Sequence, residues 1–379
     1  AVGEATLSGN FTTDRELSAG FLLDLREVLP DLPEDPHLHY SQQVNSSEHI
    51  RENTLPDRQA EIVEGIMASG VGHDLVGVYA LGGIYEGFAN SLDQRNWFAT
   101  HTYNIDFSLY SDADRAVKMA DAGFIWNGRA FQKKIEAGLA QLDALKRPQK
   151  TLEPGRYRVY LAPSAVSEII DLLNWGAFGL KDSKTKQTPL IKMIEEGVKL
   201  QPSVSFIENT QNGIAANFQE DGFLKPDRVR LITKGEISEM LVCPRSAKEF
   251  ATASNGASPW ESAESIEMMP GNLESDNILK VLDRGIYINN LWYLNYSDRA
   301  ACRMTGMTRF AVFWVENGEI QGPTNVMRFD ESLYRFLGSN LSGITKEREL
   351  LLDSTTYHSR STDSRRLPGI LVEDFALTL

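Results

Sequence analysis

The chain has 379 residues, which at about 150 residues per domain predicts two or three domains. Its 42% hydrophobic content and its ordinary numbers of glycine (29) and proline (15) exclude a collagenous, disordered or low-complexity protein. Against 38 Lys and Arg stand 52 Asp and Glu, a net charge of −14, so direct nucleic-acid binding is not expected.

Cysteine content and the chain start indicate the cellular setting. Two cysteines, Cys243 and Cys302, are too few for a disulfide scaffold, and we expect both to be buried and structural. No apolar run is long enough for a membrane helix, so we predict a cytoplasmic protein without membrane contact. The first residues carry neither a methionine nor a leader pattern, which suggests that the sequence begins inside a longer protein.

Helices and strands alternate in the first 150 residues. Thr13 and Glu16 form a capping box, which predicts a helix from there to Pro30, and Asp57 is a candidate N-cap for a second helix. Three strands are predicted between residues 76 and 110 from their period-two pattern. Helices are expected over 112–122, capped by Ser111, and over 129–146.

The chain after residue 150 is predicted to be mostly β-structure. A strand after residue 155 and a helix from Pro163 to Asn174 come first, and a short helix is expected over 331–337. Hairpin turns are predicted at Asp221-Gly222, Lys234-Gly235 and Asn317-Gly318. The fold class is therefore α+β with two domains: an α/β portion with a mostly antiparallel sheet over 1–150, and a β-rich, barrel-like or sandwich-like domain over 151–379.

No catalytic or metal motif is evident from the residues alone. The six histidines include no pair at i, i+4 spacing, and two isolated cysteines cannot form a zinc ribbon. Trp292, Tyr293 and Tyr296 lie in a polar stretch, where aromatic clusters either line a peptide groove or belong to the core.

Five segments, in order along the chain, resemble the TldD/PmbA family, whose members are also called modulators of DNA gyrase or peptide-maturation proteases. The segments are ANSLDQRNWF at 89–98, EDGFLKPDRVRLITKGEISEMLVCPRSAKEF at 220–250, MMPGNLESDNILKVLDRGIYINNL at 268–291, FAVFWVENGEIQGPTNVMRF at 310–329 and RRLPGILVEDFAL at 365–377. Family members carry a further N-terminal portion, which agrees with a start inside a longer protein.

The resemblance implies a metallopeptidase in the TldD branch, with a zinc motif of His-Glu, three residues and His on a helix. The matching positions here are Ile170, Asp171 and Trp175, and the region of the family's C-terminal cysteine contains only Tyr357-His358. Isoleucine and tryptophan cannot bind zinc, so no metal and no cofactor is predicted for this chain. This departure is similar to the PmbA or TldE branch.

The resemblance to that branch implies a subunit that partners a zinc-containing TldD-type protein. The pair would form a dimer enclosing a tunnel, in which an unfolded peptide is held as an added strand while the partner cuts it. The chain itself would then be a pseudoenzyme subunit of an oligomer.

Two alternatives stay open at the sequence level. One is an autonomous hydrolase with a displaced site, for which Glu168, Asp171 and His358 are the weak catalytic candidates. The other is a non-hydrolytic binding protein that acts on gyrase or on a toxin–antitoxin partner.

Overall fold

A computed structural model describes residues 3–56, 58–111, 115–355 and 360–379. The chain forms two compact units, residues up to Leu38 and His39–Leu379. No helix in the described part of the chain is long and apolar enough to cross a membrane. The candidate residue His358 and the predicted N-cap Asp57 lie outside the described residues.

The first unit contains helix α1 (Phe11–Val28), followed by a 3-10 turn (Leu29–Asp31). The predicted capping box at Thr13 is wrong, because the helix begins one turn earlier. The Asn10 side chain accepts hydrogen bonds from the backbone N–H groups of Thr12 and Thr13, so Asn10 is the N-cap. The predicted end near Pro30 is confirmed.

The second unit opens with a four-stranded sheet around the central strand β3 (Arg95–Tyr110). Strand β2 (Asp74–Ala89) pairs antiparallel with β3 along its whole length, which confirms a mostly antiparallel sheet. On the other side of β3 lie β1 (Ser47–Ile50), parallel, and β4 (Ala116–Gly123), antiparallel. Helices α2 (Gln59–Ser69) and α3 (Gly128–Ala144) accompany this sheet.

Two predictions in this region are wrong. The three strands expected between residues 76 and 110 are two long ones, because β2 continues without interruption through Gly82-Gly83. The helix expected over 112–122 is instead strand β4 where the structure describes it. Pairing of β4 with the free edge of β3 outweighs the helical propensity of its alanines, a tertiary effect that local sequence does not report.

An eleven-stranded sheet is built from the chain after residue 154. Its strands are β5 (Gly155–Leu161), β6 (Phe206–Glu208), β7 (Val229–Thr233), β8 (Glu236–Ile237), β9 (Ser265–Met268), β10 (Gly285–Asp298), β11 (Arg303–Glu316), β12 (Glu319–Pro323), β13 (Arg328–Ser332), β14 (Leu341–Leu352) and β15 (Ser364–Leu377). Five of them, β11, β10, β5, β15 and β13, pair in a closed ring. The expected α+β class with a β-rich, barrel-like second part is therefore confirmed.

Short helices connect these strands. They are α4 (Pro163–Asn174), α5 (Leu180–Lys184), α6 (Ile191–Glu195), α7 (Pro244–Glu249) and α8 (Ile278–Leu282), with 3-10 turns at Thr210–Asn212 and Ser275–Asn277. The helix expected over 331–337 is confirmed in part: its first two residues belong to β13, and helical structure begins at Leu333 and continues as a π-helix over Arg335–Ser339. The predicted boundary near residue 150 falls in the chain between the two sheets, and the two-domain division stays a prediction.

The hairpin predictions are mostly confirmed. Asn317-Gly318 joins β11 to β12 and Lys234-Gly235 joins β7 to β8, with positive φ at all four residues. Gly222 also has positive φ, but its turn closes only the isolated bridge between Phe218 and Leu224.

The largest hydrophobic core lies within the second sheet and its helices. Its fully buried members include Ile170, Phe206, Phe329 and Phe375. Cys243 and Cys302 are both buried and unbridged, as expected.

Candidate functional site

Helix α4 positions the residues that the sequence singles out. Pro163 occupies its first turn, where the missing N–H costs nothing, and Gly176, with φ +86, follows its C-terminal end. Its apolar face packs into the core against β10 and β15, and its other side carries Glu168 and Asp171. Amphipathic spacing thus decides which side chains of α4 reach a cavity.

The three positions of the implied zinc motif stand in different surroundings. Ile170 is 0% exposed and is part of the core. Asp171 forms an ion pair with Arg365 at the start of β15. Trp175, just beyond the helix, is 70% exposed. Only one of these three side chains, that of Asp171, carries an atom that can bind a metal.

Carboxylates gather around Arg365. Glu168, Asp353, Asp363 and Arg365 all act electrostatically on the Asp171 carboxyl group. Burial and, to a smaller extent, the three neighbouring carboxylates together raise the pKa of Asp171 to about 7, although Arg365 opposes the shift. Burial also raises the pKa values of Glu168 and Asp363. Arg365 is thus ion-paired with Asp171 and acts electrostatically on Glu168 and Asp363, which are also affected by Lys118 and Lys225 respectively.

A cavity of about 650 Å³ opens beside Asp171, and we call it the tryptophan cavity. Its size is ordinary for a ligand site. It is lined by the last turn of α4 and the residues that follow it, by the loop before β9 and by the start of β15: Asp171, Asn174, Trp175, Gly176, Lys181, Asp182, Pro259, Trp260, Glu261, Ser262, Asp363 and Arg365.

A smaller cavity of about 290 Å³ shares Asp171 and Arg365 with the first, and we call it the carboxylate cavity. Glu168 and Asp353 also line it. On its far wall are Asp106 of β3 and Lys118 of β4, whose side chains lie 3.5 Å apart. The two sheets therefore both contribute polar groups to this cavity.

The predicted peptide-groove residues lie elsewhere. Trp292 and Tyr293 are exposed on β10 beside Arg309, whose guanidinium stacks over Trp292 at 4.3 Å. Tyr296 packs against the core and donates a hydrogen bond from its hydroxyl to the Leu172 carbonyl, 3.0 Å away. These three side chains do not line the two cavities beside Asp171.

Sequence reasoning identified Glu168 and Asp171 but missed Trp260, Asp363 and Arg365. Trp260 offered a local signal, since a large aromatic residue after Pro259 in the polar stretch SNGASPWES has little chance of burial. Asp363 and Arg365 gave none, because only the pairing of β15 with β9 and β14 brings them to α4.

Across residues 3–56, 58–111, 115–355 and 360–379, no group of three or more His, Cys, Asp or Glu side chains is arranged to hold a metal ion. The carboxylates around Arg365 are therefore a charged cluster without the geometry of a ligand set.

Fold and family agree when the chain is compared with known proteins. The family model for the PmbA/TldA metallopeptidase C-terminal domain matches residues 154–379, more than half of the chain. The chain therefore belongs to the PmbA/TldD metallopeptidase family, as the sequence segments indicated. The comparison with curated protein sequences gave no match.

Solved structures share the fold at low sequence identity. TldE from Thermococcus kodakarensis has a TM-score of 0.77 and 13% identity, over 97% of this chain and 85% of that one. A candidate modulator of DNA gyrase from Bacteroides thetaiotaomicron has a TM-score of 0.72 and 14% identity, over 96% and 83%. A corresponding protein from Thermotoga maritima has a TM-score of 0.70 and 14% identity, over 93% and 82%.

Proposed function

We propose that this chain is the TldE-like, metal-free subunit of a TldD/TldE-type peptidase. In this role it forms a dimer with a zinc-containing TldD-type partner and helps to hold an unfolded peptide, which the partner hydrolyses. The observation that carries the proposal is that the residues at the zinc-motif positions, at the C-terminal half and end of α4, cannot bind zinc.

The residues at those positions do not fit a zinc ion. Ile170 has no atom that can bind a metal, and its side chain is buried in the core. This position therefore supplies no zinc ligand. Trp175 offers only an indole N–H, which is a hydrogen-bond donor and not a metal ligand. Asp171 is already paired with Arg365, whose positive charge repels a cation. A catalytic zinc needs about three protein ligands, and one carboxylate does not supply them.

Strand β2 supports the peptide-holding part of the proposal. Over Asp74–Ala89 its backbone pairs with β3 on one side, and the described chain places no strand on the other. None of its sixteen residues is buried, although Val76, Val78 and Tyr85 are large and apolar. An open edge of this length can accept an extended peptide through main-chain hydrogen bonds.

The test measures zinc content and casein cleavage for the chain alone, for a TldD-type partner alone and for the mixture. We expect no stoichiometric zinc and no cleavage by the chain alone, and more cleavage in the mixture than by the partner alone. The matched control is a mixture in which the partner's zinc-motif glutamate is replaced by glutamine, which should be inactive. Chelator-sensitive cleavage by the chain alone would refute the proposal.

One observation favours a second candidate, an autonomous hydrolase. Glu168 and Asp171 both line the carboxylate cavity, and burial raises the pKa of each, as general acids require. This candidate predicts that Glu168→Gln and Asp171→Asn each abolish hydrolysis by the chain alone without unfolding it. Activity retained in both variants would eliminate it.

A further inference from the structure

Two exposed tryptophans line the same cavity. Trp175 is 70% exposed and Trp260 is 85% exposed, and both border the tryptophan cavity. Tryptophan is highly buried on average, and an exposed pair at one cavity costs solvation free energy unless a ligand covers it.

The backbone holds Trp175 firmly. Its carbonyl accepts a 2.9 Å hydrogen bond from Nη2 of Arg299, and Arg299 also donates to the Gln187 carbonyl. Gly176 has φ +86, a backbone conformation that residues with a side chain rarely adopt, and a Cβ there would also displace the Asp182 carboxylate and the Arg299 guanidinium, each 2.5 Å away, so glycine is strongly favoured. The packed end of helix α4 therefore fixes the backbone of Trp175 in a position where its side chain is exposed.

A turn holds Trp260 in the same way. The N–H of Glu261 donates to the carbonyl of Ser258 at 2.9 Å, which places Trp260 at the tip of a turn after Pro259. The Glu261 carboxylate is buried and accepts hydrogen bonds from the backbone N–H groups of Lys181 (2.8 Å) and Cys243 (2.9 Å). Glu261 thereby anchors the turn to two other segments.

The two tryptophan-bearing segments are also tied to each other. Asn174 donates a hydrogen bond to the carbonyl of Ala263 and accepts one from its N–H, both at 2.8 Å. The two sides of the cavity are thus held together before any ligand arrives, and a preorganised site loses little conformational entropy on binding.

Charge defines the ligand that suits the cavity. Its lining contains four acidic side chains, Asp171, Asp182, Glu261 and Asp363, against two basic ones, Lys181 and Arg365. Arg365 is engaged by Asp171, and Glu261 by backbone N–H groups. Asp182, Asp363 and the one remaining base, Lys181, also line the cavity, and the lining as a whole has two more acidic than basic side chains, so the site attracts cations and repels anions.

We propose that the tryptophan cavity binds the cationic side chain of a lysine or arginine in an unfolded polypeptide. The indole rings of Trp175 and Trp260 supply cation–π attraction, and the carboxylates supply the opposite charge. The assignment rests on the proposed function and extends it by naming a preferred substrate class, chains with exposed basic residues.

The test uses flexible twelve-residue Gly/Ser peptides with a fluorescent label and one variable central residue. Fluorescence anisotropy gives the Kd of each peptide for the full chain alone. We expect the Arg and Lys peptides to bind about tenfold more tightly than the Gln and Leu peptides, and the Glu peptide to bind weakest. Equal or tighter binding of the Leu peptide would mean an apolar pocket and would overturn the proposal, as would no binding of any peptide.

Variants locate the site. Trp175→Ala and Trp260→Ala should each weaken binding of the Arg peptide by about three- to tenfold, and Asp182→Asn and Asp363→Asn should weaken it by a smaller factor. Trp97→Ala is the matched aromatic control, since Trp97 is 44% exposed and lies outside the tryptophan cavity. Asp143→Asn is the charge control, because the Asp143 side chain is exposed on helix α3 and lies outside the tryptophan cavity. Unchanged affinity in both cavity tryptophan variants would reject the site.

The outcome is separable from that of the proposed function. Preferential binding of basic peptides by a chain that does not promote cleavage would leave the cavity assignment intact and reject the subunit role. Cleavage in the mixture without any preference for basic peptides would support the subunit role and reject the cavity assignment.

Discussion

Glu208 on β6 is buried and Asp171 on α4 is partly exposed, yet desolvation raises the pKa of each, to about 8 and about 7. Their surroundings differ. The Glu208 carboxylate accepts hydrogen bonds from the backbone N–H groups of Ser265 and Glu264. Asp171 is paired with Arg365 and opens onto two cavities. A raised pKa is common to both, so it does not by itself mark a functional site, and access to a cavity is what distinguishes Asp171.

The largest expected effect comes from removing the structural carboxylate. Glu208→Ala leaves the N–H groups of Ser265 and Glu264 without their acceptor inside the protein. We expect the free energy of unfolding to fall by about 3 kcal/mol. Urea denaturation measures it. A loss below about 1 kcal/mol would mean that water replaces Glu208 as the acceptor for these N–H groups, and that Glu208 contributes little to the free energy of unfolding.

Removing the cation of the other site should cost less. Arg365→Gln leaves Asp171 without its ion-pair partner and removes a positive charge near Glu168 and Asp363, and we expect a loss of about 2 kcal/mol at pH 8. At pH 5 the loss should be smaller, because the raised pKa of Asp171 leaves it largely protonated there. Combining Arg365→Gln with Asp171→Asn should recover part of the stability, and a double variant as unstable as the sum would contradict the coupling.

Stability should depend on pH through both carboxylates. Each has a folded pKa above its unfolded value of about 4, so the native state binds the proton more tightly and stability falls as pH rises. The fall lies between about pH 4 and 7 for Asp171 and between about pH 4 and 8 for Glu208.

Neutral variants assign these contributions. Urea midpoints between pH 4.5 and 8.5 should decline less steeply for Glu208→Gln and for Asp171→Asn than for the unmodified chain. Asp143→Asn should leave the slope in this range almost unchanged, because the hydrogen bond with Lys146 lowers the pKa of this exposed carboxyl group, which therefore titrates below about pH 4.5 in the folded and the unfolded chain. Identical slopes in all proteins would show that neither carboxyl group titrates differently on folding.

The smallest effect is expected at Trp260. Because its side chain is 85% exposed, Trp260→Ala should change the free energy of unfolding by less than about 0.5 kcal/mol. Urea denaturation and peptide binding on the same preparation separate stability from recognition. A large loss of stability would place Trp260 with Glu208 as a structural residue.

Local sequence features predicted several elements well. The apolar spacing of α4, with Pro163 at its start, gave a helix over Pro163–Asn174, which is the range observed. Asn317-Gly318 gave its hairpin because few other residue pairs adopt positive φ at both positions. The family followed from the order of five segments, and the absence of histidine at positions 170 and 175 followed from residue identity alone.

Other features depended on partners distant in sequence. Strand β4 was predicted as a helix, since its pairing with β3 is invisible locally. The candidate site was only half predicted. Glu168 and Asp171 share one helix, whereas Arg365 and Asp363 reach it through the register of β15, about 190 residues later. Exposure of Trp260 follows from a turn fixed by the buried Glu261.

The sequence by itself determined the family, the α+β class and the chemical unfitness of Ile170 and Trp175 as zinc ligands, because these depend on residue identity and short-range pattern. Only the tertiary structure decided that Arg365 pairs with Asp171 and that Trp175 and Trp260 line one cavity. Side chains far apart in sequence meet only when strand pairing and helix packing fix their positions, and burial and pKa follow from that meeting.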